Sequence, residues 1–187
     1  MTNQSVPKVL VPIADGSEEI EAVCIIDVLR RAGVAVTVAS VGEMQITASR
    51  GVKIMADSLI GDCQGERYDL VALPGGIPGA ENLRDSSVLT DILKAQRLAG
   101  RWLGAICAAP AVVLAPHGLL EGRHATAHPA FVDRLADRTR ADERVVVDGR
   151  CVTSRGPGTA IEFALKLVAL LCGEAKAQEV AAPMVLP

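Results

Sequence analysis

Four short apolar runs, at residues 9–13, 34–39, 68–73 and 102–106, each stop at small residues, glycine or proline. Between the first two lies an amphipathic stretch, 18–32, closed by Gly33. Strand, helix and strand within about thirty residues point to a right-handed parallel crossover. Asp15 or Ser17 is expected to cap that helix, and Glu18 and Glu19 suit its positive end. Residues 45–56 read as one or two short strands around Arg50-Gly51, and a helix is expected over about 86–98. Asp148-Gly149 fits a type I′ turn, so 145–153 reads as an antiparallel hairpin, followed by a loop at 154–158 and a long apolar helix to about 171. The order predicts an α/β fold: a doubly wound sandwich, its sheet mostly parallel with one antiparallel hairpin. Ligands of such folds sit beyond the carboxyl ends of the strands, where the loops 14–17, 74–79, 107–110 and 154–158 fall.

The 187 residues fit one domain, 1–187, with a core that needs neither metal nor disulfides. Half of them are hydrophobic but only 2% aromatic, so that core has to be aliphatic. A net charge of −3 and no basic cluster beyond two adjacent arginines argue against nucleic acid as a partner. The opening residues lack the pattern of a signal peptide, and no apolar segment is long enough for a bilayer, so a cytoplasmic protein is expected. The five cysteines show no CxxC spacing; neither a disulfide framework nor a metal site is expected.

Cys107 stands where the fourth apolar run turns into the helix-friendly stretch 108–115, with Pro110 in a first helical turn. A strand-to-helix corner holds a side chain out at the sheet edge, beside backbone N–H groups. The helix end is expected to lower the thiol pKa below its usual ~8.5. Gly75 and Gly76, on the neighbouring strand end, let a second N–H approach, completing an anion or oxyanion pocket with Ala108. An unpaired cysteine can equally be a small buried hydrophobe, the role expected of Cys24, Cys151 and Cys172; Cys63 reads as an exposed loop thiol. Glu21 falls on the apolar side of its helix, among Cys24, Ile25, Val28 and Ala32. There it is either protonated or paired, or reaches water at the helix end. Strand spacing over 123–128 puts His124 and His128 on one face, with His128 at the strand end before a helix opened by Pro129. His128 is thus either a site residue or an ordinary satisfied histidine, and His117 reads as a solvated surface residue.

Four blocks carry a likeness: Asp15-Gly16-Ser17-Glu18-Glu19-Ile20-Glu21, Leu73-Pro74-Gly75-Gly76, Ala105-Ile106-Cys107-Ala108-Ala109-Pro110, and Thr153-Ser154-Arg155-Gly156-Pro157-Gly158-Thr159. In this order, from about residue 8 to 186, the chain resembles the ThiJ/PfpI superfamily, above all its Parkinsonism-associated deglycase branch. The resemblance implies a homodimeric, flavodoxin-like sandwich with a reactive cysteine at Cys107. It implies a protonated glutamate at Glu21 bonded to that cysteine, a nearby histidine at His128, and oxyanion donors at the N–H groups of Gly76 and Ala108. It further implies an arginine matching Arg50 that enters from the partner subunit, and a pocket shared with Arg155, Gly156 and Pro157. The family's activities are cofactor-free conversion of methylglyoxal or glyoxal to hydroxy acids, repair of early glycation adducts, and chaperone-like protection under oxidative stress. Ala108 stands where the protease-like branch has histidine, so peptidase activity is not expected. No histidine follows His128, which removes the His-x-Glu pair of class I amidotransferases. Ala48 and Met55 replace cysteines frequent in the deglycase branch, which centres redox chemistry on Cys107.

Three functions remain open on these residues. One is a glyoxalase or deglycase acting through Cys107, Glu21 and His128 on a small 2-oxoaldehyde or a glycated substrate. Another is a redox-sensing, chaperone-like protein whose Cys107 becomes a sulfinate. The third is a binding protein with an incidental cysteine.

Overall fold

The computed structural model describes residues 6–186; the reading of the first five residues as lacking a signal pattern lies outside them. Strand β1 (Lys8–Ile13) leads into helix α1 (Glu19–Arg31), and β2 (Ala35–Ser40) returns parallel beside β1. The short strands β3 (Gln45–Thr47) and β4 (Lys53–Met55) form a separate antiparallel hairpin, and β5 (Ser58–Leu59) sits at the sheet edge. Then come β6 (Leu70–Leu73), α2 (Gly79–Asp85), α3 (Ser87–Leu98) and β7 (Trp102–Ile106). The chain closes with β8 (Val145–Asp148), β9 (Cys151–Ser154), α4 (Ala160–Cys172) and α5 (Glu174–Ala181). The main sheet runs β5-β2-β1-β6-β7-β9-β8, parallel throughout except for β8 against β9. It is the doubly wound sandwich expected from the pattern, with the flavodoxin-like arrangement that the resemblance implies.

Two aliphatic layers hold the helices to the sheet. On one face Ile25, Val28 and Leu29 of α1 and Phe163, Leu167 and Val168 of α4 join Val9, Val11 and Ile13. On the other, Leu83, Leu89 and Leu93 of α2 and α3 meet Leu10, Val71, Leu73 and Leu103. Full burial of such side chains stabilises by about 1.5–3 kcal/mol each. No helix among the described residues is long and apolar enough to cross a membrane.

The structure departs from the sequence reading in several places. Neither Asp15 nor Ser17 caps α1: Asp15 Oδ1 accepts from Thr47 N–H at 2.7 Å and Ser17 Oγ from Ala14 N–H at 3.0 Å, and Glu18, at the N-cap position, makes no side-chain capping bond. The hairpin turn is Gly149-Arg150, one residue later than expected, because Asp148 still pairs with Cys151. Positive φ at Gly149 alone fits type II′ rather than I′. Residues 123–128 join no strand. Thr126 N–H donates to the Thr153 side chain and His128 N–H to the Cys107 carbonyl, so side chains and a corner replace a ladder. The helix expected after Pro129 is only a 3₁₀ turn at Val132–Arg134, and the one after Cys107 is a π-helical turn at Pro110–Leu114. Cys63 is buried, 3.6 Å from Ser58 Oγ, and His117 Nε2 lies 3.0 Å from the Arg84 carbonyl oxygen, so neither is free in solvent.

Candidate active site

Register aims the loops. β6 and β7 run level to Leu73 and Ala105, and β7 and β9 to Ile106 and Ser154, so the next residues of all three strands emerge together. Cys107 follows at φ 64°, a left-handed conformation unusual for a non-glycine residue that costs about 1–2 kcal/mol. Two bonds hold the corner: Cys107 N–H donates to Ser154 O at 3.0 Å, and Cys107 O accepts from His128 N–H at 2.8 Å. Gly75 must be glycine, since a Cβ there would lie 2.7 Å from Cys107 Cβ and 2.9 Å from Ala108 N. Gly76, at φ 88°, packs its backbone on Glu18 N and Gly16 O with no room for a side chain. The backbones that follow β6 and β7 therefore touch at Cys107.

Glu21 is wholly buried on α1. Its Oε2 accepts from Gly75 N–H at 2.8 Å, while Oε1 has no hydrogen-bond partner of good geometry. Burial pushes its carboxyl from 4.5 up to about 7, against the opposing pull of the Gly75 N–H and the Cys107 thiol. Cys107 departs from expectation. Burial, then the charge of Glu21 and its hydrogen bond, push the thiol up to about 12, and the N–H groups of Gly76 and Ala108 only partly offset this. The corner's donors do act on the sulfur, but desolvation and a neighbouring carboxylate outweigh them.

A cavity of about 240 Å³ opens over the sulfur, lined by Cys107, Ala108, Gly76, His128, Arg50 and Pro157 among others. His128 Nδ1 accepts from Ala130 N–H at 3.2 Å, which leaves the ring proton of the neutral form on Nε2. Gly156 backs that ring: a Cβ there would meet His128 Cδ2 at 3.4 Å. Arg155 is not brought to the cavity; its Nη1 donates to the Asp142 carbonyl at 3.3 Å. Arg50, expected to enter from a partner subunit, lines the cavity of its own chain, where Glu19 fixes its loop. The Glu19 carboxylate accepts from Arg50 N–H at 2.9 Å and Val52 N–H at 3.4 Å. Burial works against that ionisation, yet these bonds and Ser49 hold the Glu19 carboxyl below its ordinary value.

Glu18, Ser49, Ile77 and Phe131 complete the lining and were missed in the sequence. A signal existed for Glu18: it lies three residues before Glu21, on the same side of one helix. Ser49 Oγ joins Glu18 Oε2 at 2.7 Å and Glu19 Oε2 at 2.8 Å, a contact between segments that no local pattern encodes.

The sequence model of the DJ-1/PfpI family matches residues 7–170. The chain belongs to the DJ-1/PfpI family. Protein DJ-1 homolog B of Arabidopsis thaliana is 51% identical over 174 residues, which are 92% of this chain and 40% of that protein. The chain spans less than half the length of the Arabidopsis relatives it matches. The glutathione-independent glyoxalase DJR-1.2 of Caenorhabditis elegans is 37% identical over 188 residues, covering 100% of this chain and 99% of that protein. Among solved structures, oxidized Toxoplasma gondii DJ-1 superposes with a TM-score of 0.94 at 51% identity, covering 96% of this chain and 98% of that one. Membership of the DJ-1/PfpI family bears out the likeness read from the four sequence blocks.

Proposed function

We propose that this DJ-1/PfpI protein is a glutathione- and cofactor-independent glyoxalase acting on methylglyoxal, glyoxal or related 2-oxoaldehydes, with early glycation adducts as further substrates. The observation that carries the reading is the Cys107–Glu21 pair: a cysteine on a positive-φ corner beside a buried carboxyl that titrates near neutrality. The similarity to the C. elegans glutathione-independent glyoxalase supports it.

Ionised Glu21 takes the Sγ proton as sulfur adds to the aldehyde carbon, and the N–H groups of Gly76 and Ala108 stabilise the resulting oxyanion. The proton passes to that oxygen, giving a hemithioacetal. Glu21 next removes the proton from the former aldehyde carbon while His128 gives one to the neighbouring ketone oxygen, forming an enediol. Glu21 returns its proton to that neighbouring carbon as the hydroxyl on the sulfur-bearing carbon gives its proton back to His128, leaving a thioester. Water hydrolyses the thioester, releasing the 2-hydroxy acid and the thiol. One carbon is oxidised and its neighbour reduced, so no external oxidant is needed. The test is methylglyoxal consumption without glutathione. Cys107→Ser should fall to background with an unchanged circular-dichroism spectrum; retained turnover moves the chemistry elsewhere.

A second reading rests on the oxidized state named for the Toxoplasma relative. Two equivalents of peroxide would convert Cys107 to a sulfinic acid with release of two waters, the product held by Glu21 and the same N–H groups. We infer a homodimer from the resemblance, and exposed apolar surface supports it: Val23 on α1 and Met55 on β4, 49% and 63% exposed, flank one shallow groove. Sedimentation at micromolar concentration tests the homodimer, and a cytoplasmic setting completes the proposal.

A further inference from the structure

Behind the nucleophile corner lies a second cavity, of about 410 Å³. Its floor is apolar, made by Ala111 and Val112 of the π-helical turn with Ala115, Leu120 and Leu135. A lining of this kind is completed by apolar ligand atoms better than by water.

The rim decides which ligand. Of its two carboxylates, Asp137 is engaged by His124 Nδ1 at 3.0 Å and by Thr139 N–H and Oγ1. A Cβ on Gly118 would lie 3.1 Å from Glu121 Oε1, so the Glu121 carboxylate is folded back on that turn. Arg84 is spent on Asp85, at 2.7 Å. Arg123 donates to the Asp148 carbonyl at 3.0 Å, and Arg134 lies over the Phe131 ring at 5.3 Å. Neither Arg123 nor Arg134 is ion-paired among the described residues. A guanidinium without a carboxylate at the mouth of an apolar hollow is the recognition chemistry of a carboxylate on an aliphatic chain.

We propose that this cavity is a second ligand site, taking a small aliphatic monocarboxylate with its chain on the Val112–Leu135 floor and its head group on Arg134. The site adjoins the catalytic cavity through one residue pair. Phe131, under the Arg134 guanidinium, lines the cavity over Cys107 and meets the His128 ring edge-on at 6.1 Å. A carboxylate on Arg134 competes for the guanidinium that covers Phe131, so occupancy is transmitted toward His128.

Octanoate is the probe, titrated into the full chain by calorimetry and by NMR of methyl and histidine ring signals. One saturable event is expected, with shifts at the Val112 and Leu135 methyls reaching the His128 ring. Octanol, which lacks the charge, should bind at least tenfold more weakly. Arg134→Gln, at an exposed position, should weaken octanoate at least tenfold, and Ala115→Phe should abolish binding by filling the hollow. No saturable shift at millimolar octanoate overturns the proposal. So do octanol binding as tightly as octanoate, an unchanged affinity in Arg134→Gln, or shifts confined to residues around Cys107. None of these readouts depends on glyoxalase turnover.

Discussion

Gly75 donates its backbone N–H to Oε2 of Glu21 at 2.8 Å, tying the end of β6 to the first turn of α1 across 54 residues of sequence. One carboxyl oxygen is thereby held, and the other is buried without a well-formed bond. A group in this position is easier to bury neutral than charged.

Stability should therefore fall with pH. The Glu21 carboxyl is raised from 4.5 to about 7. Below the lower value both native and unfolded chains hold the proton; between the two only the native chain does. The contribution is present in full at acid pH and lost as pH rises through about 7, a difference of about 3 kcal/mol. Glu21→Gln has no proton to lose, and urea denaturation at pH 5 and pH 8 should show a much smaller drop. Equal drops in the two proteins would contradict the assignment.

The thiol should respond to the same group. Cys107 is pushed up to about 12 by burial and then by the charge of Glu21. Iodoacetamide should alkylate native Cys107 more slowly at pH 7 than the unfolded chain. Glu21→Gln removes the negative charge and leaves the Gly76 and Ala108 donors, so the thiol should titrate lower and alkylate faster. A slower reaction in that variant would reverse the sign argued here.

At Gly75 the space is measured. A methyl group must displace Cys107 Cβ or the Ala108 backbone. Gly75→Ala should destabilise by about 1–3 kcal/mol and lower any Cys107-dependent turnover. A melting temperature within error of wild type would show that the two strand ends can separate freely.

The corner itself can be tested without chemistry. Alanine is ordinarily the more stable choice over glycine by about 0.5–1 kcal/mol, yet at φ 64° that order should invert. Cys107→Gly is expected to unfold at equal or higher urea than Cys107→Ala. A clear advantage for alanine would mean that the corner carries little strain.

The alternation of apolar runs made the parallel sheet legible, because a buried strand and an amphipathic helix each leave a period in the sequence. Cys107 was legible for a related reason: a strand end and a helix start meet at one residue. The burial of Glu21 could be read from the helical wheel, since Cys24, Ile25 and Val28 share its side. The thiol's titration could not, because it depends on how deeply β6, β7 and α1 enclose the sulfur. Residues 123–128 misled for the opposite reason. Their alternation has the period of a strand, but Thr126 spends its N–H on the Thr153 hydroxyl rather than on a neighbour's carbonyl. Arg155 was drawn to the pocket by its neighbours in sequence, whereas its guanidinium follows the carbonyl of Asp142.

The two bonds that lock the corner come from Ser154 and His128, both downstream of Cys107. On the ribosome, at ~5–20 residues per second, the cysteine is made seconds before the partners that shape it. A nascent chain thus carries an ordinary flexible thiol, and the strained corner forms only once β9 has been added. A thiol that resists alkylation at this site is in that sense a certificate of completed synthesis, which a chain released early would lack.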